Sequence, residues 1–191
     1  MRVIAGSARG TILKTVEGMG TRPTTDRIKE TLFNMIQGDL YDCLFLDLFS
    51  GSGAIGIEAL SRGGRRSYFV ENNKEASKCI CDNLKKTHME DRAVLMECDA
   101  ISAIKRLNGK EHPFDFIFMD PPYGKNFEFH VLDELRNVDF VDEYTNIIVE
   151  AARETTFDYL DELGYEIIKM KEYKTNMHVF MKKKKGMVSN D

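Results

Sequence analysis

From residue 43 onward, short unbroken apolar runs alternate with stretches whose apolar positions recur at helical spacing. Residues 43–49 read Cys-Leu-Phe-Leu-Asp-Leu-Phe, interrupted only by Asp47, as a strand buried on both faces should. Similar runs predict strands over 67–70, 93–97, 114–119 and 146–150. Between them the pattern predicts helices over 54–62, 74–86, 100–107, 127–136 and near 155–163. In the second of these, Ala76, Cys79, Ile80 and Leu84 share one side, and Gly63-Gly64 closes the first. The last two apolar runs, 165–171 and 177–182, have only Tyr173–Asn176 between them. With no helix to carry the chain back, one of them must pair antiparallel at the edge. Strands alternating with helices predict a Rossmann-like α/β sheet of seven strands with helices on both faces.

The first 38 residues follow a different pattern. Residues 3–7 and 11–16 read as two short strands of a hairpin around Ala8-Arg9-Gly10. Gly18, Gly20 and Pro23 break the chain, and a helix begins near Thr25 with Ile28, Leu32, Met35 and Ile36 on one face. Thr24, Thr25 and Asp26 are its N-cap candidates. The expected organisation is a hairpin-and-helix appendage over 1–38, a sheet domain over 39–183 and a flexible tail over 184–191.

Length and composition fit that division. A chain of 191 residues, 42% hydrophobic and 30% charged, makes one domain with a small addition and is not a disordered polymer. No stretch reaches the roughly 18 consecutive apolar residues of a membrane helix, and Met1–Gly6 is too short an apolar run for a signal peptide. A soluble, cytoplasmic monomer is expected. The cysteines (43, 79, 81, 98) form no C-x-x-C pair and the four histidines share no ligand spacing, so structural thiols and no metal are expected.

Net charge is −4, but it is unevenly distributed. Residues 1–36 carry six Lys/Arg against three Asp/Glu, and residues 168–186 carry seven Lys against one Glu. The stretch between them has 14 basic and 26 acidic residues. The Lys182–Lys185 run reads either as a solvated tail or, with the N-terminal cations, as a surface for a polyanion.

In open α/β sheets ligands bind beyond the carboxyl ends of the strands. Four predicted strands each end at an acid: Asp47, Glu71 (followed by Asn72), Asp99 (followed by Ala100) and Asp120. Gly51, Gly53 and Gly56 match G-x-G-x-x-G, and Glu71 stands 20 residues past Gly51, which admits a dinucleotide. Asp47, four residues before Gly51, suits a cationic group better than a pyrophosphate, and Asp99 either caps its helix or accepts from an exocyclic amine. An acid for an ammonium, one for a ribose and one for adenine describe S-adenosylmethionine better than NAD. Asp120-Pro121-Pro122-Tyr123 is the most specific signal: two prolines make a rigid exit with acceptors but no competing N–H, and an aromatic ring follows.

Asp47–Gly53 resembles the D-x-F-x-G-x-G loop of amino-methyltransferases, and Asp120–Tyr123 resembles their [DN]-P-P-[YF] motif. Arg22-Pro23-Thr24-Thr25-Asp26-Arg27-Ile28-Lys29-Glu30-Thr31-Leu32-Phe33-Asn34, with Gly6-Ser7-Ala8-Arg9-Gly10 upstream, is similar to the bacterial 16S ribosomal RNA guanine-N2 methyltransferases (ribosomal RNA small subunit methyltransferase D). The resemblance extends over about residues 1–182. It implies a class I methyltransferase fold and methyl transfer to N2 of a guanine in 16S rRNA, at position 966, in an assembling small subunit. It implies that S-adenosylmethionine binds across Asp47, Phe49, Ser50, Gly51, Ser52, Gly53, Glu71, Asn72, Asp99, Ala100 and Asp120, leaving S-adenosylhomocysteine. The catalytic set would be Asp120, Pro121, Pro122 and Tyr123. RNA contacts would fall to Arg9, Arg22, Thr24, Arg27 and Lys29. Three other readings compete: an amino-methyltransferase for another amine such as DNA adenine N6 or a protein glutamine, a nicotinamide oxidoreductase, and a non-catalytic RNA-binding module that kept the fold. The N-terminal block speaks against the first, Asp120–Tyr123 against the second and the four intact acids against the third.

Overall fold

The computed structural model describes residues 1–16, 26–124 and 126–185. It contains a seven-stranded sheet in the order β3-β2-β1-β4-β5-β7-β6 and divides into two compact units, Met1–Asp99 and Ala100–Asp191.

In the first unit, β1 (Leu44–Asp47), β2 (Arg66–Val70) and β3 (Ala93–Met96) run parallel, with Leu46 opposite Tyr68 and Tyr68 opposite Val94. Every residue of β1 is buried, which explains its unbroken apolar run. Helix α1 spans Asp26–Ile36, where Leu32, Phe33 and Ile36 are buried. Helix α2 (Ala54–Ser61) is buried on all sides. It lies so close to β2 that a Cβ at Gly56 would stand 2.4 Å from the Phe69 ring, so the third glycine of the motif is required by packing. Helix α3 (Lys74–Thr87) starts at Asn73, whose side chain accepts the N–H groups of Glu75 and Ala76. Val3 and Leu13 join Ile57, Leu60, Phe69, Ile80 and Leu84 in one apolar cluster, which docks the N-terminal segment on α2 and α3.

That segment departs from the expected pair of strands. It has a single antiparallel bridge, Arg2 with Ile12, and the backbone bonds Val3 N–H to Thr11 O (2.9 Å) and Gly10 N–H to Val3 O (2.8 Å). The ladder stops because the next two amides, Ile4 and Ala5, donate to the Glu58 carboxylate at 2.8 and 3.0 Å. A side-chain acceptor on α2 has replaced the partner strand.

The second unit comprises α4 (Ala100–Leu107), β4 (Phe116–Met119), α5 (Phe127–Leu135), β5 (Asn146–Ala152), β6 (Tyr165–Glu172) and β7 (Asn176–Lys183). Strands β4 and β5 are parallel, with Phe118 opposite Ile148. Strand β7 is antiparallel to both β5 and β6, so the reversed strand lies one place in from the edge and β6 is the edge. The helix expected near 155–163 is absent. Its buried residues Phe157, Leu160 and Leu163 recur every three positions. The segment closes successive turns, including Leu160 N–H to Phe157 O and Gly164 N–H to Asp161 O. A three-residue repeat suits such turns better than a 3.6-residue helix. Among the described residues no helix is long and apolar enough to cross a membrane.

Candidate cofactor and acceptor site

The turn from β1 into α2 is built from Ser50, Gly51, Ser52 and Gly53. Gly51 (φ +53°) and Gly53 (φ +78°) adopt left-handed backbone that other residues avoid. A Cβ on Gly51 would meet nothing within 4 Å, so this side of the turn is open to a ligand. The Ser50 hydroxyl donates to the Asp47 carbonyl at 2.9 Å, and the Gly53 N–H donates to the Ser50 carbonyl at 2.7 Å. At the end of β2, Glu71 fastens the turn: Oε2 accepts the Gly51 N–H and Oε1 the Asn73 N–H, each at 2.8 Å. Asn72 is exposed beside it, Phe49 is half-buried, and Asp99 is exposed immediately before α4, which opens at the buried Ala100.

Asp47 carries the strongest mark of a missing partner. It is 1% exposed, and neither carboxylate oxygen makes a hydrogen bond. Its pKa is raised to about 7, chiefly by burial with a smaller push from the nearby Glu71 carboxylate, while the Phe49 and Gly56 amides and Ser50 hold the shift down. A buried carboxylate in that state calls for a cation or a strong donor. An open glycine turn beside such an acid fits the amino-acid end of S-adenosylmethionine.

In the second unit, Asp120 leaves β4 half-buried, Pro121 is buried and Pro122 exposed. Tyr123 is 48% exposed. Gly124 (φ +78°) and Asn126 (φ +50°) turn the chain into α5. Strands β5 and β7 hold a buried polar group in this unit. His178 Nε2 pairs with Glu150 Oε2 at 3.0 Å, the Tyr173 hydroxyl meets His178 Nδ1 at 3.1 Å, and Asn176 Nδ2 donates to Glu150 Oε1.

Of the expected RNA contacts, Arg9 and Arg27 are exposed, while Arg22 and Thr24 lie outside the described residues. Lys29 is a correction. Its side chain is fully buried, with Nζ 3.1 Å from Glu58 Oε2 and donating to the Arg2 carbonyl at 2.7 Å. Burial lowers its pKa and Glu58 opposes that shift. The ammonium neutralises a carboxylate inside the protein and faces no external phosphate. Arg62 Nε completes the group, 2.9 Å from Glu58 Oε1. Sequence reasoning missed this hub, although a lone acid in the otherwise apolar Ala-Ile-Gly-Ile-Glu-Ala-Leu-Ser helix was its signal. It also missed Asn83, a polar residue on the apolar side of α3 that is fully buried.

A family model described as "Conserved hypothetical protein 95" matches residues 1–182. The ribosomal RNA small subunit methyltransferase D of Escherichia coli (strain K12) is 33% identical over 151 residues, 79% of this chain and 74% of its own length. The chain belongs to this family. A second relative, YlbH of Bacillus subtilis (strain 168), named as a candidate rRNA methyltransferase, is 38% identical over 187 residues, 97% of this chain and all of its own. Among solved structures, yhhF of Escherichia coli, described as a candidate methyltransferase, superposes with a TM-score of 0.81 at 29% identity. The match covers 96% of this chain and 98% of yhhF. The fold is the Rossmann-like α/β fold of class I methyltransferases.

Proposed function

We propose that this protein methylates ribosomal RNA, transferring the methyl group of S-adenosylmethionine to the exocyclic N2 of a guanine, the one at position 966 of 16S rRNA, in the assembling small subunit. The observation that carries the reading is the pairing of two features. One is the orphaned Asp47 carboxylate beside an open glycine turn in the first unit; the other is the rigid Asp-Pro-Pro-Tyr exit from β4 in the second. Relatives named for small-subunit rRNA methylation supply the substrate class.

Asp47 and the amides of the Ser50–Gly53 turn would hold the amino-acid end of the cofactor, Glu71 the ribose, and Asp99 the adenine amine, with Phe49, Asn72 and Ala100 around them. When bound, S-adenosylmethionine supplies an electrophilic methyl on a sulfonium. The guanine N2 lone pair is delocalised into the ring, so the amine is a poor nucleophile. Asp120 and the Pro121 carbonyl accept its two N–H bonds, favour pyramidal nitrogen and aim the lone pair. As N2 gains positive charge, the Asp120 carboxylate stabilises it. Holding donor and acceptor in line supplies much of the remaining acceleration. Tyr123 stacks on a base that must be unpaired or flipped to enter. The N2 proton leaves after transfer, so Asp120 need not be a strong base. Arg9, Arg22, Thr24 and Arg27 are the proposed RNA contacts, within an RNA-contacting segment over 1–38.

The test is transfer of a labelled methyl to 30S particles from a strain lacking the enzyme, followed by digestion to nucleosides. Label recovered as N2-methylguanosine supports the reading. Label in N6-methyladenosine, or none, refutes it.

A further inference from the structure

The side chain of Asn83 joins two segments with different proposed tasks. It lies in α3 with no exposure to solvent. Its Oδ1 accepts the Lys14 N–H at 2.8 Å, and its Nδ2 donates to the Lys14 carbonyl at 3.0 Å and to the Ser52 carbonyl at 2.9 Å. Both amide hydrogens are therefore committed, one to the N-terminal segment and one to the glycine turn. Ser52 stands between the two left-handed glycines, and Lys14 lies near the end of the described N-terminal residues 1–16.

The glycine turn is thus held from two directions. Glu71 takes the Gly51 amide and, through its other oxygen, the Asn73 amide at the start of α3. Asn83, nearly three turns further along the same helix, takes the next carbonyl, that of Ser52. The Glu71 tie joins the strand end, the turn and the start of α3, and does not reach the N-terminal segment. The Asn83 tie is shared with Lys14, whose carbonyl also accepts from the Cys79 thiol at 3.3 Å. A buried polar atom that loses its partner is costly. Any shift of the N-terminal segment must therefore carry the Asn83 amide with it or break its bonds, and either outcome reaches Ser52. Apolar packing alone would be served at this position by a leucine.

We propose that Asn83 is a positioning residue that couples the glycine turn to the N-terminal segment, so that filling either site favours the other. The proposal rests on the reading that the turn holds the cofactor and the segment contacts RNA. Coupling of this kind is reciprocal, and typical values are about 5- to 150-fold in affinity.

The first arm needs no variant and no RNA. Hydrogen exchange is followed on the wild-type protein with and without S-adenosylhomocysteine. The Leu13 and Lys14 amides should exchange more slowly with the ligand, although they lie outside the proposed cofactor contacts. In the second arm, S-adenosylhomocysteine affinity is measured with and without undermethylated 30S particles, for wild type and Asn83→Ala. The wild type should bind the ligand at least about 5-fold more tightly with particles present. Asn83→Ala should still bind it while that ratio falls to near one. A purely structural role would weaken both affinities and leave the ratio unchanged. If the ligand binds but residues 11–14 gain no protection, or if the variant keeps the wild-type ratio, the proposal is overturned and the cofactor reading stands. If S-adenosylhomocysteine does not bind at all, both are overturned.

Discussion

The Gly51 amide donates to Glu71 Oε2 at 2.8 Å, so the acid at the end of one strand holds the turn that follows its neighbour. Glu71 thereby shapes the proposed cofactor site before any ligand arrives, in addition to the ribose contact proposed for it.

Glu71→Ala removes both the Gly51 and the Asn73 bond. A hydrogen bond to a charged group contributes about 1.5–3 kcal/mol, or roughly 10- to 150-fold in affinity. Titration calorimetry should show S-adenosylhomocysteine binding weakened by that factor, with the circular-dichroism spectrum of a folded protein retained. Wild-type affinity in the variant would remove Glu71 from the site.

Asp47 predicts a pH dependence with a definite sign. Its pKa rises from 3.8 to about 7 on folding, so the folded protein holds an extra proton between those values. Its contribution therefore destabilises the unliganded protein increasingly as pH rises from about 4 to about 7, by on the order of 4 kcal/mol at the top of that window. A cationic ligand favours the ionised form. S-adenosylhomocysteine affinity should therefore climb as pH is raised through 6 to 7.5, and binding should release a proton there. Asp47→Asn should melt higher than wild type at pH 8, bind the ligand less tightly, and lose the proton release. Ligand affinity flat across that range in the wild type would contradict the assignment.

Much of this architecture could be read from the chain. The buried run at Leu44–Asp47 and the apolar side of α3 placed their elements within a residue or two, because burial on both faces or on one stripe leaves a periodic trace. The turn segment 155–163 misled because apolar residues spaced by three resemble a helix until the hydrogen bonds are counted. The acid that follows β2 was legible in the same way, since Glu71 stands at the strand end and takes the Gly51 amide of the neighbouring turn. Lys29 was misread for a different reason. Sequence gives its charge but not its environment, and its partner Glu58 is 29 positions away on another helix. Asn83 likewise looks like any helix polar residue until Lys14 and Ser52 are seen on either side of it.

Lys29 and Arg27 should now separate cleanly, although they are two residues apart. Lys29→Ala removes one of the two buried cations that hold the Glu58 carboxylate and leaves Arg62 alone with it; breaking a buried ion pair typically costs roughly 3–5 kcal/mol. Urea unfolding should show a loss of that order. Arg27→Ala, on an exposed position, should change stability by less than about 0.5 kcal/mol. It should instead weaken particle binding and reduce the slope of log K against log salt by about 0.7, the share of one single-strand phosphate contact. Equal stability losses in the two variants would contradict the placement of Lys29.

Asp120→Ala should lose most of its single-turnover methyl transfer while its S-adenosylhomocysteine dissociation constant stays within a few-fold of wild type. The carboxylate is proposed to serve chiefly the acceptor amine, through charge that develops only during transfer. Normal transfer at saturating particle concentration would remove it from the mechanism.

The most direct measurement of the central claim is mass mapping of nuclease fragments from undermethylated 30S particles treated with the purified protein and S-adenosylmethionine. The account predicts one added methyl per 16S rRNA, confined to the fragment containing the guanine at position 966 and carried on N2 of that base. A methyl on any other fragment, on another atom of the base, or on none, would contradict it.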